Sequence, residues 1–379
     1  MDSTDFGKLP AVSEEDYANA IRVSRKVIFE SVGLKQKETV LIITNPDYDV
    51  DTISRSLYHA CIECEGKPTI IYQPSKTQSD FREFAVQQAF FSNPDVWISI
   101  SKNKLGKDEL GLKGHVYRGP RGGVGSEYQH VLVSEGTSRA FWSPGITLDS
   151  WIRTADIDYT KLEKDADKIH KLLTNASSIR ITSKAGTDLT INLEGRVAFK
   201  DDGNYRSKGV KGGNIPAGEA FISPVNETAE GIVVFDGVIS AYDRAIIVKN
   251  PVQMGIKGGY VQLESVSGAG EEASKVRESL EMGMAKSREL GKPEGFIKNS
   301  LHIGELGIGL NEKARLVDSM LEAEKVRGTI HLAFGSNYDN DAEASTHYDN
   351  VMRNPTAVLK ILGKEVMLME EGELVGLLD

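Results

Sequence analysis

The sequence predicts an α/β protein, with an N-terminal domain on a parallel sheet followed by a β-rich α+β domain. Two observations carry that expectation. From Ser13 to Ser101, segments of helical periodicity alternate with short apolar runs, the pattern of βαβ crossovers. Beyond about residue 175 the chain changes to segments with a period of two, separated by Gly turns, the pattern of antiparallel strands. A chain of 379 residues suits about two domains. The expected division is 1–174 for the α/β domain and 175–379 for the β-rich one.

The elements follow in order. "SEEDYANAIRVSRKVIFESVGL" has helical spacing with acidic residues near its start, and "KETVLIIT" reads as a buried strand. "DVDTISRSLYHACIECEG" is a second helix, "KPTIIYQ" a strand, "QSDFREFAVQQAFFSNP" a helix and "DVWISIS" another strand. From Lys102 to about Asp149 the pattern degrades. "YRGPRGGVGSEY" lacks the G-K-[ST] ending of a phosphate loop and reads as a loop, of a composition also used to cover substrates. "DYTKLEKDADKIHKLLTNAS" is a helix with a charged outer face. "SIRITSKAGTDLTINLEGRVAF", "GIVVFDGVIS" and "GGYVQLESVSG" are strand-like, and "GEEASKVRESLEMGMAKSRELG" is a helix placed before the strand-like "LHIGELGIGL".

Composition limits the function classes. A formal charge of -10 and a pI near 5.4 argue against a nucleic-acid partner, which needs a basic face. No apolar run approaches the roughly 18 residues of a membrane span. "MDSTDFGKLPAVSEEDY" is acidic and lacks the basic flank and apolar core of a signal peptide, so a cytoplasmic protein is expected. Cys61 and Cys64 form a C-x-x-C at the end of a helix, whereas a redox pair sits at a helix start, where the dipole lowers the thiol pKa. No second cysteine pair exists to complete a zinc site, so the pair reads as structural.

The second half concentrates ligand-type side chains in apolar segments. "GNIPAGEAFISP" puts Glu219 at the mouth of a strand, and "LHIGELGIGLN" carries Glu305 inside an apolar run, where an unpaired carboxylate costs several kcal/mol. "GTIHLAFG" does the same with His331. In "THYDNVM" the strand period places His347 and Asp349 on one face. Tyr338 lies between the two histidines in the polar loop "SNYDND". Each has a bland alternative: a core imidazole, a carboxylate paired with a buried Arg or Lys, a turn cap, a surface tyrosine. Carboxylate with imidazole and no thiolate is the set that suits zinc, manganese, cobalt or iron(II).

Taken together, "GTDLTINLEGR", "NIPAGEAFISP", "ETAEGIVVFDG", "LHIGELGIGLN", "GTIHLAFG" and "THYDNVM" resemble the successive motifs of the aminopeptidase T family of dinuclear metallopeptidases. The resemblance covers about residues 175 to 360, and over the first half extends to a similar order of helices and strands. It implies a cytoplasmic homodimeric metallo-aminopeptidase, whose two divalent metal ions (zinc, cobalt or manganese) activate water to release N-terminal residues from small peptides. It carries the metal ligands onto Glu219, Glu305, His331, Tyr338, His347 and Asp349, with Glu219, Glu305 and Tyr338 in catalytic roles. The Gly-Arg loop around Arg118 to Gly125 becomes a candidate cover over the active site. The loop from Gly335 to Thr346 is shorter and more acidic than the family pattern.

A fold-related branch resembling 2,5-dihydroxypyridine dioxygenase gives the alternative. There one iron(II) is held by a histidine in a similar "HIG" segment and a downstream H-x-D, which here are His302, His347 and Asp349. In a regular strand His302 and Glu305 point to opposite faces, so both approach one metal only if the chain turns at Gly304. Glu219, Glu305 and His331 are what a two-metal hydrolase needs and a one-iron dioxygenase does not. The sequence therefore favours the hydrolase.

Overall fold

The structure, a computed structural model, describes residues 12–77, 80–207, 212–242 and 244–377. The acidic N-terminal stretch up to residue 11, and Gln78 and Ser79 at the start of the third expected helix, lie outside them. The described chain is an α/β protein with one parallel sheet, two large antiparallel ones and a two-stranded hairpin, and it divides into two compact units. One runs to Tyr159 and includes Gly203–Ala217; the other holds Thr160–Asp202 and everything from Gly218 onward. Helix Tyr159–Asn175 thus runs almost wholly in the second unit, and a short return segment belongs to the first.

In the first unit five parallel strands lie in the order Gly213–Asn214, Arg139–Pro144, Val96–Ser101, Thr39–Thr44, Lys67–Tyr72. Val96–Ser101 is buried at every position, which is why it reads as a continuous apolar run and not an alternating one. Ser13 and Asp47 accept hydrogen bonds from Asp16 N and Asp49 N, so the helices Glu14–Lys26 and Tyr48–Glu63 start where side chains satisfy their first amides. Cys61 is buried at the end of the latter helix, and burial raises its thiol pKa, as a structural cysteine requires.

Between Lys102 and Asp149 the structure holds more order than the sequence pattern shows. Tyr117–Arg118 pairs with Val124–Gly125 as a hairpin, Tyr128–Ser134 is a helix, and Arg139–Pro144 is a sheet strand. That strand escapes the pattern because its buried members include Arg139, whose guanidinium donates to the Val32 and Gly33 carbonyls and pairs with Glu38. The helix expected over "QSDFREFAVQQAFFSNP" is confined to Phe84–Phe90.

The second unit is two seven-stranded antiparallel sheets. One runs Arg244–Ile247, Val238–Ala241, His347–Met352, Ile330–Gly335, Ile303–Gly309, Glu219–Ile222, Phe199–Asp201. The other includes Ala176–Thr182, Asp188–Asn192 and Glu230–Phe235. Phe334 of the first sheet packs edge-on against Phe235 of the second at 5.9 Å, and Thr187 Oγ1 lies 3.7 Å from Met352 Sδ. The apolar face of the first sheet is thereby covered, which leaves its other face for chemistry. Among the described residues no helix is long and apolar enough to cross a membrane.

Candidate metal centre

Cross-strand pairing builds the site. Directly opposed residues of an antiparallel pair share a face, and residues two apart along a strand do too. The registers are Glu219 with Gly309, Gly307 with His331, Glu305 with Ala333, Ala333 with Asp349, and Gly335 with His347. Following them across the sheet puts Glu219, Glu305, His331, His347 and Asp349 on a single face. Their intervening neighbours there are Gly307, Gly309, Ala333 and Gly335, so the floor between the ligand-type side chains is almost bare. A Cβ at Gly307 would run into the His331 ring, which makes glycine the residue that fits opposite it.

Among the described residues two groups have ligand atoms within 4.8 Å of one another: Glu219, Glu305 and His331, and Glu305, His347 and Asp349. Glu305 belongs to both. Its Oε1 is 3.3 Å from His331 Nε2 and its Oε2 is 2.9 Å from His347 Nε2. His331 Nε2 is also 3.3 Å from Glu219 Oε2, and His347 Nε2 is 3.5 Å from Asp349 Oδ1. His347 Nδ1 donates to the Ser336 carbonyl at 2.9 Å, which fixes Nε2 as the nitrogen offered to the site.

Tyr338 reaches the same place from its loop. Its amide donates to Ser223 Oγ at 3.2 Å, and its ring lies against Phe221 at 4.9 Å and His347 at 5.6 Å. It is nonetheless half-exposed, so it forms the rim and not the floor. Phe199 stacks on Phe221 at 5.5 Å, and the three aromatic rings form a wall beside the carboxylates.

Two charged residues of the site have no sequence signal. Lys325 is fully buried, and its Nζ donates to Glu219 Oε1 and Glu324 Oε1, each at 2.6 Å. In "EAEKVRG" the pair Glu324–Lys325 reads as a solvated turn; only the fold turns it inward.

Crowded charges set the protonation. Burial pushes the Glu219 carboxyl up to about 7 against the pull of Lys325. Burial also works against Glu305, but hydrogen bonds from His331 and His347 outweigh it and hold that carboxyl below its ordinary value. Burial alone would depress both imidazoles, yet the carboxylates win: His331 is held up at about 9, and His347 well above its ordinary value. Asp349 is held low, burial being overcome by His347. The negative charge of Glu305, then burial, raises the Tyr338 phenol, which is therefore neutral near neutral pH.

A divalent cation fits this set. The donors are carboxylate oxygens and imidazole nitrogens without thiolate, and Glu219 Oε2 and His331 Nδ1 are buried without a hydrogen bond. Cations would replace the protons that the imidazoles otherwise hold.

His302 joins neither group. The chain does bulge at Gly304, where the register shifts between Ile303 and Glu305. His302 itself is buried beside Tyr260, 5.4 Å ring to ring, and neither of its nitrogens has a hydrogen-bond partner. Burial lowers its pKa to about 4, leaving it neutral. The structure thus brings together Glu219, Glu305, His331, Tyr338, His347 and Asp349, and it does not bring His302 to His347 and Asp349.

A family model described as NicX: 2,5-dihydroxypyridine 5,6-dioxygenase matches residues 156–376. No curated protein sequence matches the chain. Among solved structures it resembles the 2,5-dihydroxypyridine dioxygenase of Pseudomonas putida KT2440, with 17% identity and a TM-score of 0.71 over 96% of this chain and 98% of that one. It also resembles wild-type AmpT from Thermus thermophilus, with 15% identity and a TM-score of 0.65 over 94% and 99%. At such identities the likeness shows the fold alone.

Proposed function

The chain belongs to the 2,5-dihydroxypyridine 5,6-dioxygenase family, and from that premise we propose that it is a branch whose side chains serve metal-dependent hydrolysis, as a metallo-aminopeptidase. Family and fold do not fix chemistry, which belongs to the site. The observation that carries the reading is Glu305, shared between two three-residue groups on one sheet face. One cation needs one such group; a carboxylate between two groups suits two.

Glu219, Glu305, His331, His347 and Asp349 would hold two divalent ions (zinc, cobalt or manganese), with Tyr338 at the rim. Bound there, such ions supply polarisation of a scissile carbonyl, acidification of a water and an anchor for a free α-amine. The protein's residues do the rest. Glu305, held anionic by two imidazoles, belongs to both groups and would supply negative charge to both ions. Glu219 would offer the ion its Oε2, because Lys325 holds its Oε1. The neutral Tyr338 phenol would donate to an oxygen that gains negative charge. Phe199 and Phe221 offer an apolar wall for a substrate side chain.

The proposal includes a homodimer acting on small peptides. Phe84, Leu112 and Val124 of the first unit, 73%, 62% and 59% exposed, are the apolar side chains such a contact would cover. Sedimentation at working concentration reads the dimer.

A second reading, one iron(II) and ring cleavage of a dihydroxypyridine, is favoured by the family match. On this geometry a single ion would have Glu305 with His347 and Asp349, and His302 lies outside that group. The deciding experiment measures metal content, then offers the protein a dipeptide, its N-acetylated form, and 2,5-dihydroxypyridine with oxygen uptake recorded. Cleavage of the free dipeptide only, with about two metals per chain, is expected. One iron per chain with oxygen uptake and no peptide cleavage would overturn the proposal.

A further inference from the structure

We propose that Lys325 acts as a fixed cation that makes the two halves of the metal centre unequal. The Glu219–His331 half then binds a divalent ion more weakly than the His347–Asp349 half. The inference rests on the two-metal reading above.

Lys325 Nζ is held at 2.6 Å by both Glu219 Oε1 and Glu324 Oε1 and has no exposure to water. Glu219 therefore has one oxygen committed to the ammonium, and Oε2 alone faces His331 Nε2 at 3.3 Å. A divalent ion on this half gains one oxygen from Glu219 and sits one carboxylate away from a positive charge that cannot move into solvent. In a poorly solvated site that repulsion is only weakly screened.

In the other half Lys325 acts on Asp349 only through space, without an ion pair. Among the described residues Asp349 has only His347 as an ion-pair partner, and no lysine or arginine pairs with Glu305. His347 Nε2 is presented by the Ser336 carbonyl, and both carboxylates pair with imidazoles and with no ammonium or guanidinium. Glu324 sets the strength of the inequality, because it shares the ammonium with Glu219. Removing the Glu324 charge commits Lys325 more fully to Glu219; removing the lysine releases Glu219 Oε1.

This predicts opposite effects from two adjacent positions, which a merely structural role would not give. The metal-free full-length protein is titrated with Co2+ by calorimetry, with the visible absorption of bound cobalt recorded in parallel. Wild type should show two steps, the second weaker by about tenfold or more. Lys325→Met should tighten the second step by about tenfold, and Glu324→Gln should weaken it further. Circular dichroism checks that each variant is folded; if Lys325→Met is not, the sign of the Glu324→Gln change decides alone. Two equal steps or a single step in wild type, a second step weakened in both variants, or one unchanged or tightened by Glu324→Gln would each overturn the inference. A wild-type protein that takes up no cobalt at all would instead remove the metal reading on which it stands.

Discussion

The two sides of Glu305 are built differently. On one side the His331 and Glu219 side chains are 1% and 8% exposed, beside a lysine that water does not reach. On the other, His347 and Asp349 are 26% and 16% exposed, and Tyr338 at the rim is 46% exposed. The inner side is closed and its charges are paired within the protein; the outer side is open to solvent. One carboxylate serving both means that the halves are chemically linked while their surroundings are not. A closed half can hold geometry only if its charges are balanced within the protein, and Lys325 is the residue that does this.

The largest expected effect comes from breaking the link itself. Glu305→Gln keeps the shape but removes the negative charge both groups share. Metal content should fall for both halves and peptide cleavage by more than the roughly 10–100-fold that loss of an outer partner of a metal ligand costs. Elemental analysis after dialysis reads the first and single-turnover assays the second. Retention of one full equivalent of metal would show that the halves are independent.

Next comes a change confined to the inner half. Gly307→Ala places a methyl group where the His331 ring lies. Overpacking of this kind costs about 1–3 kcal/mol and should displace the ring, lowering metal uptake on that side while the outer half still titrates. A variant with unchanged melting temperature and metal content would mean that the ring has room the structure does not show.

These two positions mark what a single sequence reveals. Glu305 stood out because a carboxylate within an apolar run is costly, and His331 for the same reason. His347 and Asp349 followed from the strand period. The parallel-sheet and β-rich halves were readable because their apolar periods differ. Gly307 carried no such signal, since its importance comes from the residue it faces across a strand pair. Lys325 and Glu324 were hidden in an ordinary polar turn. The strand Arg139–Pro144 was hidden because a buried arginine interrupts its apolar pattern. In each case the missing information is a long-range contact.

A smaller effect is the dependence on pH. In the metal-free protein His331 rises from an ordinary 6.5 to about 9, and Glu219 from 4.5 to about 7. Both folded values lie above the unfolded ones, so the folded state binds more protons, and stability falls as pH rises. The His331 contribution is fully present below about pH 6.5 and lost as pH passes about 9; that of Glu219 is lost between about pH 4.5 and 7. Asp349 is depressed, so its contribution is present above its ordinary 3.8 and disappears only as pH falls below it. Metal-free melting temperature should therefore decline from pH 6.5 to 9, and saturating divalent metal should flatten that slope while releasing protons. A metal-free melting temperature that rises over this interval would contradict the assigned protonation.

The smallest expected effect belongs to His302, and it is the most informative about chemistry. Its ring is buried beside Tyr260 with both nitrogens unpartnered, so His302→Phe removes an unsatisfied polar group and keeps an aromatic one. Replacing a buried polar group that makes no hydrogen bond by an apolar one of similar shape is near neutral, within about 1 kcal/mol. Metal content and peptide cleavage should be almost unchanged, because the ring lies outside both ligand groups. If instead His302→Phe loses one iron per chain and its oxygen uptake while Glu219→Gln keeps both, the centre is the mononuclear one. The comparison between an inner and an outer half would then describe a single site and the packing around it.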